Sequence, residues 1–150
     1  SQLKDTINAD LKTAMLARDT VKTQTLQGLK AAILNEEVAK KLRETGLDEA
    51  AIEQLIAREC KKRDEAAELF ERGGNRESAT KERTEKDILL VYLPEQMSEA
   101  DVIALIDSVI AEVQPEGMKD MGRVIGAVKA RAGNSADGAL VAQLVKAKLS

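Results

Sequence analysis

Proline stands at only two of 150 positions, 94 and 115, and this scarcity confines the chain to helices more firmly than any other feature. Proline removes a backbone donor and clashes with the preceding turn, so residues 1–93 can run as long helices without a forced break. The residues that fill those stretches agree. Alanine, leucine, glutamate, lysine and arginine predominate, and these lose least on entering a helix. No segment shows the alternation or β-branched density of a strand. The expected class is all-α.

Apolar periodicity and capping residues predict seven helices. The first covers about 2–17, with Leu3, Ile7, Leu11 and Met15 recurring every four residues. Asp19 or Thr20 can cap a second, from about 20 to 44, through Val21, Leu26, Leu29, Ile33 and Val38 to Gly46. Asp48 caps a third, about 49–72, whose stripe of Ile52, Ile56, Cys60, Arg63, Ala67 and Phe70 has near-heptad spacing. Such spacing suits a long antiparallel hairpin with the second helix. After Gly73-Gly74-Asn75 a fourth helix, about 76–92, begins polar and turns apolar only at ILLVYL.

Pro94 ends that helix, because the residue before a proline is pushed out of the α region. Ser98 opens S-E-A-D, a capping box for a fifth helix at about 99–113. A sixth spans about 119–131, and a seventh follows the loop AGNSADG. The expected organisation is therefore a four-helix amino-terminal part, 1–94, and a small three-helix carboxy-terminal domain, 95–150.

Aliphatic residues suffice for a core, while Phe70 and Tyr92 are the only aromatics. The net charge is −3, yet it is unevenly spread: residues 1–114 sum to −6 and residues 115–150 to +3. A lone cysteine, Cys60, cannot form an internal disulfide and suits a reducing compartment. No apolar run approaches the roughly 18 residues of a bilayer span. The opening residues, SQLKDTINAD, lack the apolar stretch of a leader. A cytoplasmic location and no membrane partner are the expectations.

Chemistry is sparse. Histidine is absent, which removes the commonest general base and the usual zinc ligand together. Cys60 sits on an apolar stripe, where a packing role is the ordinary one. Carboxylates are plentiful but intermixed with lysine and arginine, as on a solvated helix face. No phosphate-cradling loop is present, since D-M-G-R-V-I-G does not follow a strand. No catalytic residue, metal ligand or cofactor is expected, and an autonomous enzyme is disfavoured. The run RECKKR at 58–63 is flanked by acids and reads as a charged face.

The carboxy-terminal part is more suggestive. Gly122 and Gly126 lie four apart, on one side of the sixth helix. Each costs about 1 kcal/mol of helix stability relative to alanine. Close approach of another helix, the more ordinary cause, or of a ligand backbone would offset that cost. Lys119, Arg123, Lys129 and Arg131 belong to the same helix and Lys146 to the next. A glycine-thinned groove edged by cations suits a phosphate backbone. Aromatics for stacking on bases are nearly lacking, which favours folded RNA over single strands and leaves DNA out of the expected partners.

Four segments carry a resemblance. Y-L-P-E-Q-M-S at 92–98, D-M-G-R-V-I-G at 120–126 and A-D-G-A-L-V-A-Q-L-V at 136–145 resemble signatures of the GatB/YqeY family. L-K-T-A-M at 11–15 with L-K-A-A-I-L-N-E at 29–36 is similar to the YqeY amino-terminal half. The resemblance implies an all-helical protein whose small domain is like the tail of the GatB chain of the tRNA-dependent amidotransferase, where the tail is associated with holding tRNA. It further implies a tRNA partner, an amidotransferase or tRNA-charging protein partner, and a label of carbon–nitrogen ligase with glutamine as amido-N-donor. The bodies that perform that chemistry in the larger enzyme are absent from 150 residues. Asp137-Gly138 follow the free-standing YqeY form of the loop. The competing expectation is a protein-interaction module docking through Ile52–Phe70.

Overall fold

A computed structural model describes residues 1–150 and contains seven α-helices and no strand. The helices are α1 (Gln2–Leu16), α2 (Thr20–Ala39), α3 (Glu49–Arg72), α4 (Arg76–Leu90), α5 (Glu99–Val113), α6 (Met121–Ala132) and α7 (Gly138–Leu149), with 3₁₀ turns at Met118–Asp120 and Gly133–Ser135. The chain is all-α, as its sequence predicts. Its contacts gather into two compact units, Ser1–Leu93 and Pro94–Ser150.

In the first unit each helix opens on a side-chain cap. Ser1, Asp19, Asp48 and Asn75 accept from the backbone N–H groups of Lys4, Lys22, Ala51 and Ser78, satisfying donors that a helix start leaves free. Asp19 rather than Thr20 is the cap of α2. This helix stops at Ala39, five residues short of the expected end. Lys41 takes the left-handed conformation (φ 59°) and the Leu42 N–H returns to the Glu37 carbonyl at 2.7 Å. That is a Schellman end built without glycine. Gly46, at φ 76°, then turns the chain into α3; a Cβ there would meet Glu37 Oε2 at 3.1 Å, so glycine is strongly favoured.

Ile7, Leu11, Leu26, Leu29, Ile33, Ile52, Leu55, Ile56, Leu89 and Tyr92 form the core of this unit. The Tyr92 hydroxyl donates to Asp10 at 2.6 Å, and burial pushes its pKa well above the ordinary tyrosine value. Met15 is exposed and Ala14 is buried in its place. Steps of four residues gain about 40° each on a helix of 3.6 residues per turn, so the stripe begun at Leu3 has rotated off the core by Met15. Val21, Val38 and Phe70 are likewise exposed.

The long helical hairpin is made by α3 with α4, not by α2 with α3 as the spacing suggested. Three residues, Gly73–Asn75, join α3 to α4 and leave no alternative to folding back, whereas nine separate α2 from α3. Charges cross the hairpin in register: Arg63 meets Glu85 at 3.4 Å, Asp64 meets Lys86 at 2.7 Å and Glu71 meets Arg83 at 2.6 Å. The charges in the middle of α4, from Arg83 to Lys86, are thereby paired across the hairpin.

In the second unit Ser98 caps α5 by accepting from the Asp101 N–H, and Asp137 caps α7. The core is almost entirely valine: Val102, Ile106 and Val109 from α5, Val124 and Val128 from α6, Val141 and Val145 from α7. The Met97 N–H donates to the Ser135 carbonyl at 2.7 Å and Gln96 Nε2 to the Asn134 carbonyl at 3.0 Å. These bonds tie the segment before α5 to the turn between α6 and α7.

Candidate functional site

The buried face of α6 consists of Val124 and Val128, flanked by the partly buried Met121 and Ile125. Gly122 and Gly126 are exposed, and a Cβ built on either would meet nothing within 4 Å. No neighbouring helix therefore requires them. Packing, the more ordinary of the two causes for such a pair, does not operate here.

Around the pair the expected cations separate. Arg123 lies beside Gly122 on the open side, ion-paired with Asp120 at 3.7 Å. Lys129 reaches over the start of α7, where its Nζ lies 3.6 Å from where a Cβ on Gly138 would stand. Lys119 flanks the amino-terminal end and pairs with Glu116 at 2.5 Å. Arg131 does not join them. Nine residues from Gly122 put it about 180° around the helix, where it is ion-paired with Glu112 of α5. Lys146 is exposed in the last turn of α7. The end of that helix returns to Met118, whose sulfur the Ser150 hydroxyl reaches at 3.9 Å. Lys148, the remaining cation of the last helix, pairs with Asp107 at 3.0 Å. By helical position Arg123 and Lys129 stand on the same side of α6 as Gly122 and Gly126, Lys119 lies in the turn before that helix, and Arg131 lies opposite.

The other sequence candidates resolve into the fold. In RECKKR, Arg58 pairs with Glu36 at 2.7 Å, and Arg63 with Glu59 and Glu85. Cys60 is buried, and burial pushes its thiol up to about 11, where little thiolate exists at neutral pH. Of the segment Ile52–Phe70, the end carries exposed apolar side chains, Leu69 and Phe70. Ile52, Ile56, Cys60 and Ala67 face the interior, because α3 spends its apolar stripe on α4 and the core.

Glu37, which no motif marks, is buried in α2, where its carboxylate accepts from Lys4 Nζ at 2.9 Å and from the Leu47 N–H at 2.9 Å. The Lys4 bond holds its pKa below the carboxylate range, against the opposing effect of burial and with help from Leu47. Its position four residues after Ile33, on the core row of α2, was the available signal. Beside it a groove of about 270 Å³ opens between α1 and α2, lined by Lys4, Ile7, Lys30, Ala31, Ile33 and Leu34. No group of three His, Cys, Asp or Glu side chains is arranged to hold a metal ion. No helix is long and apolar enough to cross a membrane.

Among curated proteins the chain is similar to three that share the name "Altered inheritance of mitochondria protein 41, mitochondrial". It is 28% identical to that of Lachancea thermotolerans over 72% of this chain and 58% of the relative. It is 27% identical to that of Pyrenophora tritici-repentis over 86% and 72%, and 31% identical to that of Eremothecium gossypii over 58% and 46%. The chain thus spans little more than half of the first relative. These names overturn the cytoplasmic expectation. That expectation rested on a free thiol, which suits any reducing interior, and on opening residues that begin at a serine and so say nothing of a leader. The family model described as Yqey-like protein matches residues 4–149, and the chain belongs to that family.

Proposed function

We propose that this protein is a non-catalytic helical module whose carboxy-terminal unit binds folded tRNA along the open side of α6. It would serve as an accessory to a tRNA-dependent amidotransferase or another tRNA-charging protein. The observation that carries the reading is the glycine pair. Gly122 and Gly126 weaken α6, nothing inside the molecule needs their lack of side chains, and Arg123 and Lys129 stand beside them. Bare backbone admits a ribose-phosphate strand to close range, and the cations add affinity by releasing condensed counterions.

Recognition of this kind reads shape and phosphate geometry rather than bases, in keeping with a chain almost without aromatics. Arg123 already has a carboxylate partner, so affinity is modest and strongly dependent on salt. Glutamine-dependent carbon–nitrogen ligation belongs in this reading to the partner enzyme: the chain has no histidine and its one thiol is buried.

Filter binding of the purified chain to total tRNA at several salt concentrations tests the proposal. Replacing Arg123 and Lys129 together by alanine is expected to weaken binding and to flatten the logarithmic salt slope by about one per removed phosphate contact. Unchanged affinity and slope would remove α6 as the site.

A further inference from the structure

The three-residue turn Ala17–Asp19 between α1 and α2 carries a second surface that the fold does not use. Three large apolar side chains stand in solvent there: Leu16 is 78% exposed, Met15 55% and Val21 41%. Single exposed apolar residues are ordinary, but a cluster around one turn is not. Cations accompany them. Lys12 lies one turn before both Met15 and Leu16, Arg18 occupies the left-handed position of the turn (φ 57°), and Lys22 lies in the first turn of α2. None of the three takes part in an ion pair, although most charges on the α3–α4 hairpin do. The single acid of the turn, Asp19, is engaged as the α2 cap, accepting from the Lys22 N–H at 3.1 Å.

We propose that this tip docks on an anionic lipid surface, with Leu16, Met15 and Val21 entering the headgroup region while Lys12, Arg18 and Lys22 meet the phosphates. The pairing of chemistries selects the occupant. Outward apolar side chains offer nothing to a nucleic-acid backbone, and a second copy would bring like charges face to face. An interfacial bilayer takes both: apolar groups sink a few ångströms, and the long cationic stems extend to the phosphates. The whole chain is net −3, but screening limits the field to roughly 8 Å at physiological salt, so the charges of the tip govern the contact. Absence of a bilayer span does not bear on it, because a surface contact needs none.

Flotation of the full chain with vesicles tests the proposal. Equal parts of phosphatidylcholine and phosphatidylglycerol are compared with phosphatidylcholine alone. The chain is expected to float with the anionic vesicles, to leave them on addition of salt and to ignore the neutral ones. Leu16→Asp, at an exposed site that leaves the circular dichroism spectrum unchanged, is expected to lower partitioning at least about tenfold, and Arg18→Gln and Lys22→Gln about fivefold each. A Gly122→Ala, Gly126→Ala variant floats like the parent, which separates this surface from the tRNA proposal. Equal binding to neutral vesicles, no flotation, or indifference to Leu16→Asp would each overturn it. So would a concentration-dependent dimer abolished by Leu16→Asp.

Discussion

Glu37 in the amino-terminal unit and Gly126 in the carboxy-terminal one both stand where they cost stability, one as a carboxylate withdrawn from water and the other as a glycine inside a helix, and the structure accounts for them in opposite ways. A buried carboxylate is costly unless paired. Glu37 is paired twice, holding Lys4 of α1 and the backbone of Leu47 ahead of α3. Its function is internal: it fastens the loop that carries the chain from α2 to α3. Gly126 and Gly122 have no such account, since neither touches anything that a methyl group would disturb. An unfavourable residue that the fold uses is structural; one that the fold leaves unused points outward. Gly28 in α2 is open in the same way, but it stands alone, without a second glycine one turn on.

The strongest way to break this contrast is at Glu37. Glu37→Ala leaves a lysine and a buried N–H without their acceptor and is expected to destabilise the protein by about 3 kcal/mol in urea denaturation. A loss below about 1 kcal/mol would mean that the buried pair is not what fastens the loop. Glu37 also predicts a pH dependence. Its folded pKa lies below the ordinary 4.5, so its contribution is complete above that value and fades as pH falls through it toward the folded value. Glu37→Gln should make the melting temperature less sensitive to acid over that window.

The glycine pair should respond with the opposite sign. Replacing both by alanine is expected to stabilise α6 by about 1 kcal/mol per site, raising the melting temperature, while weakening tRNA binding about tenfold because the backbone can no longer be approached. A more stable protein that binds tRNA as well as before would show the glycines to be functionally idle. Next in size, Lys129→Ala alone should weaken tRNA binding about fivefold and leave stability unchanged within about 0.5 kcal/mol. Arg131→Ala should do least. Turned toward Glu112, it should leave tRNA affinity unaltered and stability within about 0.5 kcal/mol, as for a half-exposed ion pair; a large loss of affinity would extend the site to the other side of α6.

Much of the local structure was legible before any coordinates. Ser98 and Pro115 bracket α5, which runs from Glu99 to Val113 as their chemistry requires, and Asp19 and Asp48 cap helices in the first unit. The end of α2 was less legible, because a left-handed lysine at 41 closes it where a glycine would have announced the stop. The candidate surface was half legible. Gly122 and Gly126 could be placed on one side of a helix, but not assigned to the inside or the outside, and Arg131 could be counted as a cation but not seen to turn away.

What the sequence determined by itself is the helical class, most helix starts and the absence of histidine chemistry. The last is a matter of composition; the first two depend on hydrogen bonds and side-chain caps reaching no further than four residues along the chain. What only the tertiary structure decided is that α3 folds against α4, that Glu37 is buried and satisfied, and that the glycine face of α6 is uncovered. Each depends on which distant helix fills the space beside a residue, and spacing along one helix cannot specify its neighbour.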